Sequence, residues 1–217
     1  MNAKDAPSKE RQEMHYDIRA DRMPAIPLAE MTDAQKKIAE QIAAGPRGKV
    51  EGPYWPILRS PGFANCIQNV GAYFRYDCPL DRKINEMAAL MTARSWSQQF
   101  VWDVHILQAL DAGLSRDVCT ALAEGRRPEG MESDEEVLWD FVTEVLVSKG
   151  VSDPTYKRAV EKFAEAGVID ILGIVGYYTT LGMVMNVGRT PMLDDRRPPL
   201  DSLPLQQHSR DSNPLRD

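Results

Sequence analysis

Cysteine is scarce in this chain and poorly spaced for chemistry. Cys66, Cys78 and Cys119 form no CxxC pair and no zinc-ligand pattern, and their number is odd. They read as reduced, mostly buried thiols that act as small hydrophobes. Histidine is as scarce: His15 and His208 fall near the ends, which leaves His105 in the central region. One histidine beside one carboxylate falls short of the three protein ligands of a catalytic zinc site. No metal site is therefore expected. Clustered basic charge is missing too. The net charge is −6, the sequence pI is about 5.2, and Arg126-Arg127 and Arg196-Arg197 are isolated pairs. A phosphate-binding face needs a concentrated basic patch, so nucleic acid is not an expected partner.

Long apolar runs are also lacking. A membrane span needs ~20 apolar residues. The longest apolar stretch here, Val168 to Val187, is interrupted by Asp170, Tyr177, Tyr178, Asn186 and three glycines. It reads as a buried helix, and no membrane partner is expected. The first residues carry no apolar h-region, so no signal peptide is expected and the cytoplasm is the expected location.

What is present is helical punctuation. Thr32-x-x-Gln35 is a capping box that opens a helix through Ala44, with Gly45-Pro46 as its stop. Residues 45–60 read as a Gly/Pro-rich loop carrying Tyr54, Trp55 and Arg59. A helix from Pro61 to about Tyr76 follows, with Phe63, Ile67, Val70 and Phe74 at 3–4 spacing. Pro79-Leu80-Asp81 starts another. Gln98 to Ala112 is amphipathic and Gly113 ends it; Ser115 caps a short helix that stops before Gly125. Ser133-x-x-Glu136 predicts a capping box for a helix running to Lys149. Ser152-Asp153-Pro154 caps the next, which ends at Gly167, and a last helix covers about Val168 to Val187. Strand signals are few. The expectation is an all-α helical bundle of about eight helices over residues 28–187. It is flanked by a polar N-terminal arm, 1–27, and a Pro-rich C-terminal tail, 188–217.

The informative stretch runs from Asn85 to Gly113. Glu86 lies on the largely apolar side of one helix, and His105 lies on the next, sharing a face with Trp102 three residues earlier. If the two helices turn back on each other at about Arg94 to Ser97, Glu86 and His105 stand at similar distances from the turn. At 1.5 Å rise per residue they then sit at about the same height. A Glu–His pair in an apolar pocket is a proton-transfer unit; a core histidine satisfied by a carboxylate is the structural alternative.

This stretch resembles the carboxymuconolactone decarboxylase family, which also holds the alkylhydroperoxidase D-like peroxidases. The resemblance is carried by Arg82-Lys83-Ile84-Asn85-Glu86, by Ala93-Arg94, by Gln99 through His105 with Trp102 inside it, and by Gly113-Leu114-Ser115. The Glu86-to-His105 spacing of 19 matches the peroxidase arrangement. The departures are equally informative. Gln98 and Val101 stand where the peroxidases carry two cysteines, so thiol peroxidase activity, which needs a nucleophilic thiolate and a resolving partner, is not expected. Val101 also replaces a glutamate of the Tyr-Glu-Trp variant, and Asp103 points to another side of the helix.

The resemblance implies an alkylhydroperoxidase D-like bundle that assembles as a homotrimer or homohexamer. It also implies a cofactor-free lyase acting on a small carboxylated lactone or ring acid in aromatic catabolism. Glu86 and His105 would be catalytic. Arg94, at the Ala-Arg position, would hold substrate with Arg59, Gln98, Trp102 and Tyr54. Arg75 is a further arginine able to clamp an anion. Two alternatives use the same scaffold: an isomerase or hydrolase of lactones or unsaturated acids with His105 as base, and a non-catalytic family member.

Overall fold

The structure is a computed structural model, and it describes residues 20–192 and Leu200. Among these residues there are eight α-helices and no strand: α1 Asp33–Ala44, α2 Tyr54–Ile57, α3 Pro61–Ala72, α4 Arg82–Ser95, α5 Gln99–Asp111, α6 Arg116–Glu124, α7 Ser133–Ser148 and α8 Asp153–Gly188. The expected all-α bundle is what the chain forms.

α4 is the axis of the molecule. Every residue from Ile84 to Arg94 is buried, and α5, α6, α7 and α8 all pack against it. A helix covered on all sides needs an internal answer for each polar group it carries. The Asn85 amide donates to the Phe74 carbonyl at 2.8 Å, and the Thr92 hydroxyl donates to the Ala88 carbonyl at 2.8 Å. Glu86 is bonded to His105. The start of α4 is capped by the Asp81 carboxylate, which accepts from the Lys83 N–H at 2.8 Å. It is tied to the start of α7 by Lys83 Nζ, 2.7 Å from Glu132 and 3.0 Å from Glu135.

That tie moves one expected boundary. The cap of α7 is Glu132, whose N–H donates to the Glu135 carboxylate at 3.0 Å, and not Ser133 with Glu136. Glu135 is buried and held by Lys83, which fixes the box one residue earlier. The Ser133 hydroxyl instead accepts from Lys162 Nζ at 2.8 Å.

Two other expectations shift for packing reasons. The helix expected from Pro61 to Tyr76 is α-helical to Ala72 and then widens into a π turn over Tyr73–Asp77. The widening points Phe74 at Gly173 of α8, where a β-carbon would lie 2.4 Å from the Phe74 ring. The two helices expected on either side of Gly167 are one element, α8, interrupted at Ala164, with φ 57° and ψ 171°. Gly167 does not end a helix: its bare Cα lets Phe163 and Leu80 approach, since a β-carbon there would lie 2.9 Å from the Phe163 Cβ. By length and composition α8 would suffice to cross a membrane, yet more than half of its most apolar stretch is buried inside the bundle. It is a core helix here.

The loop expected over 45–60 holds the single turn α2, whose Tyr54 and Ile57 are buried. The described ends of both arms lie on the body. The Arg22 N–H donates to the Gly188 carbonyl at 2.8 Å, and Leu200 is buried, its backbone exchanging two hydrogen bonds with the Gln99 amide at 2.8 and 2.9 Å. Residues 1–19, 193–199 and 201–217 lie outside the described residues, and with them most of the two expected arms.

Ala164 occupies a backbone region that is open essentially to glycine alone and costs of order 1–3 kcal/mol for other residues. Ala164→Gly is therefore expected to raise unfolding stability by about 1 kcal/mol, against the usual helix-interior penalty for glycine. A urea unfolding midpoint at unchanged slope reads this directly; a lower midpoint would show no strain at that position.

Candidate functional site

One helix cap sets the site. α5 begins at Gln98, whose side-chain oxygen accepts from the Phe100 N–H at 2.7 Å and whose amide donates to Asn186 of α8 at 3.0 Å. This fixes the angle at which α5 returns along α4. His105, near the middle of α5, then meets Glu86, near the start of α4. The Nδ1–Oε2 distance is 2.6 Å, and both side chains are buried. The edge of the imidazole meets the Tyr178 ring of α8 at 4.8 Å between centroids, with an interplanar angle of 77°. No described residue bonds Nε2, and His105 lines a cavity of about 240 Å³.

The walls of that cavity come from five parts of the chain. Loop 45–53 supplies Arg47, Lys49 and Glu51; α2 supplies Tyr54; the π turn supplies Arg75 and Tyr76; α8 supplies Tyr177 and Tyr178. Phe100, Val101 and Val104 of α5 close it beside His105. Lys49 pairs with Glu51 at 2.7 Å, which leaves two guanidinium groups as the net charge on this wall. A cationic cavity in a chain of net charge −6 is a local arrangement rather than a reflection of composition.

The two tyrosine hydroxyls, Tyr54 and Tyr177, lie 3.0 Å apart, and the Arg47 guanidinium sits over the Tyr54 ring at 4.8 Å. Burial pushes the Tyr54 phenol well above its ordinary range, and its Tyr177 neighbour adds to the effect. Burial does the same to Tyr178. Both remain proton donors at neutral pH.

The sequence-derived residues divide. His105 and Tyr54 line this cavity, and Glu86 stands behind His105, bonded to it but outside the lining. Trp102 is buried on another side of α5, in a groove with Ile106 and Leu110. Gln98 serves as the α5 cap and borders a separate depression near the end of α8. Arg59 is exposed, and its guanidinium donates to the Trp55 and Pro24 carbonyls at 2.9 and 2.8 Å. Arg94 is buried within α4 and does not line the cavity. Arg47 and Tyr177, which the sequence reading passed over, stand in their place. The available signals were slight: an arginine inside Gly45-Pro46-Arg47-Gly48, and a tyrosine pair breaking an apolar helix.

No cysteine is among the residues that line this cavity. Gln98 and Val101 occupy the relevant turn of α5. Cys66 is exposed, Cys78 half-buried and Cys119 buried. Burial pushes the Cys119 thiol up to about 11 and raises that of Cys78 as well. Among the described residues, no three His, Cys, Asp or Glu side chains gather as metal ligands.

No family model matches the sequence, and no curated protein matches it. A solved structure does. It is a protein of unknown function from Agrobacterium tumefaciens that has been proposed to be the antioxidant defence protein AhpD. It superposes with a TM-score of 0.56 over 63% of this chain and 94% of its own, at 17% identity. The fold is AhpD-like. At that identity the likeness concerns the arrangement of helices; the chemistry rests on the AhpD-like bundle's own residues in this chain.

Gly71 of α3 is what admits the Arg47–Tyr177 corner. A β-carbon there would lie 2.1 Å from the Tyr177 hydroxyl and 2.6 Å from Arg47 Nη2, whereas Gly62 in the same helix has open space around it. Gly71→Ala should cost about 1–3 kcal/mol through overpacking. Gly62→Ala should be neutral or stabilising by up to about 1 kcal/mol. Chemical denaturation of the pair checks both, and equal effects would rule out a packed corner.

Proposed function

We propose that the protein is a cofactor-free lyase of the carboxymuconolactone decarboxylase type, removing CO2 from a small carboxylated lactone or ring acid. The observation that carries this reading is the buried 2.6 Å Glu86–His105 pair opening onto a small cavity with two arginines. Decarboxylation breaks the bond between the ring carbon and the carboxylate. CO2 departs, and the electron pair remains as an enolate delocalised into the lactone carbonyl. The reaction is completed by a proton delivered to carbon.

His105 is the group suited to that delivery. Glu86 holds Nδ1–H and so directs Nε2 towards the cavity; protonated, the ring donates from Nε2 and is left neutral, with its orientation unchanged. The Glu86 carboxylate also stabilises the imidazolium before the transfer. The aromatic and aliphatic walls limit water, so the carbanion meets His105 before solvent. The Arg75 guanidinium, which also lines the cavity, offsets the charge that develops on the enolate oxygen. Self-association, as a trimer or hexamer, belongs to the same reading. It is supported by Ile169, Leu172, Met183 and Val187, exposed along one side of α8.

The test is turnover of γ-carboxymuconolactone by purified protein, following CO2 release and the ultraviolet band of the lactone. His105→Ala is expected to lower kcat by about 10²–10⁴-fold with unchanged circular dichroism. Glu86→Gln, which keeps shape but removes the charge, should fall between the two. Wild type that consumes lactone without CO2 would instead point to isomerisation or hydrolysis by the same pair. No consumption at all would leave the non-catalytic reading.

A further inference from the structure

α5 has a second shoulder, turned away from the cavity. Gln99, Trp102, Ile106 and Leu110 follow one another at spacings of three and four, so they form one stripe along the helix. Beyond Gln99 this stripe faces α6 across an apolar groove of about 280 Å³. Trp102 and Cys119 are buried in the groove, and Ile106, Leu110 and Ala123 are half-buried along it. None of these residues lines the cavity of His105. The head of the stripe is already covered. Leu200 is buried, and its N–H and carbonyl exchange bonds with the Gln99 side-chain amide at 2.8 and 2.9 Å, much as one strand residue pairs with another. The chain that follows reads Asp201-Ser202-Leu203-Pro204-Leu205-Gln206-Gln207.

We propose that the α5–α6 groove is the docking site of the chain's own C-terminal segment, residues 201–207, with Leu203 and Leu205 as its anchors. Distances along the two segments agree. At 1.5 Å rise per residue, Ile106 lies ~10 Å and Leu110 ~16 Å beyond Gln99 along α5. An extended chain advances ~3.3 Å per residue, which brings Leu203 ~10 Å and Leu205 ~16 Å beyond Leu200. Each leucine therefore arrives level with one apolar residue of the stripe. The sequence favours the extended form, because Pro204 fixes its own φ and keeps Leu203 out of the helical region. Residues two apart in an extended chain point to the same side, so Leu203 and Leu205 enter the groove together while Ser202 and Pro204 face outwards. The stretch from Ser202 to Gln207 is uncharged, which suits a groove whose one charged lining residue is Arg116. The tether decides between occupants. A segment that starts at Leu200 meets the groove at a far higher effective concentration than a tail from another copy. The N-terminal arm is held elsewhere, by Arg22 at Gly188.

The experiment is photo-crosslinking within the full chain. p-Benzoylphenylalanine replaces Leu203 or, in a second protein, Leu205, and the products are mapped by mass spectrometry. Most of the product from either position should join the tail to residues 99–124 of the same chain. An equal mixture of ordinary and isotopically heavy protein should give no mixed product. Ile106→Lys puts a charge into the groove while its stem still covers apolar surface, and it should lower the yield at least fivefold at unchanged circular dichroism. Ala123→Gln narrows the groove from the α6 side and should lower the yield at least threefold, which keeps the test decisive if Ile106→Lys loses helicity. Gln99→Ala releases the anchor at Leu200 and should also lower it at least threefold. Product that maps outside 99–124, no product, or a yield indifferent to both groove variants overturns the proposal. Mixed product overturns it as well, because the groove then holds the tail of a second copy.

Discussion

The bond between Glu86 and His105 is the constraint around which the bundle is arranged. α4 is covered on every side from Ile84 to Arg94, so a carboxylate near its start has no route to water. An unpaired buried charge is strongly destabilising. The cost is met by one imidazole from α5, at 2.6 Å, and by nothing else among the described residues. That fixes the pitch and height of α5 against α4. It also requires the Gln98 cap and its link to Asn186, because a slip of one residue would carry His105 off the carboxylate. α8 then closes the site by laying Tyr178 against the imidazole edge.

The same geometry that satisfies Glu86 makes the pair useful. One ring nitrogen is committed to the carboxylate, and the other borders a cavity. Structural satisfaction and proton transfer are therefore compatible roles for one hydrogen bond. What inclines the site towards chemistry is the opposite wall, where donors exceed acceptors. A core histidine retained only for packing would need no cationic cavity beside it. The AhpD-like scaffold is shared with a protein proposed for antioxidant defence. In this chain the first turn of α5 and its cap hold Gln98 and Val101, and the three cysteines are dispersed, two of them raised by burial.

Local features of the bundle also show where packing overrides pattern. The π turn at Tyr73–Asp77 exists because Phe74 must reach the gap at Gly173, and it carries Arg75 and Tyr76 to the cavity as a consequence. The cap of α7 is drawn one residue forward by Lys83, a contact between residues 49 apart in sequence at its Glu132 end. Ala164 is held in a glycine-like conformation within α8, at a point where no breaker stands in the sequence.

Helix existence was legible in the chain because caps, stops and apolar periodicity are local quantities. Thr32 with Gln35, Asp81, Ser115 and Gly125 each act where the pattern placed them. The height match of Glu86 and His105 was legible too, since an antiparallel pair joined by a short turn leaves few registers. The composition of the opposite wall was not. Arg47, Tyr54, Arg75 and Tyr177 come from four elements, and only packing against α8 brings them together. Arginines near the motif, Arg59 and Arg94, were the natural sequence choices, yet one is spent on backbone carbonyls and the other is enclosed in α4. Sequence determined the helices and the Glu86–His105 pair; tertiary structure decided which cations and phenols face it, because that depends on contacts between residues whose separation along the chain carries no periodic signal.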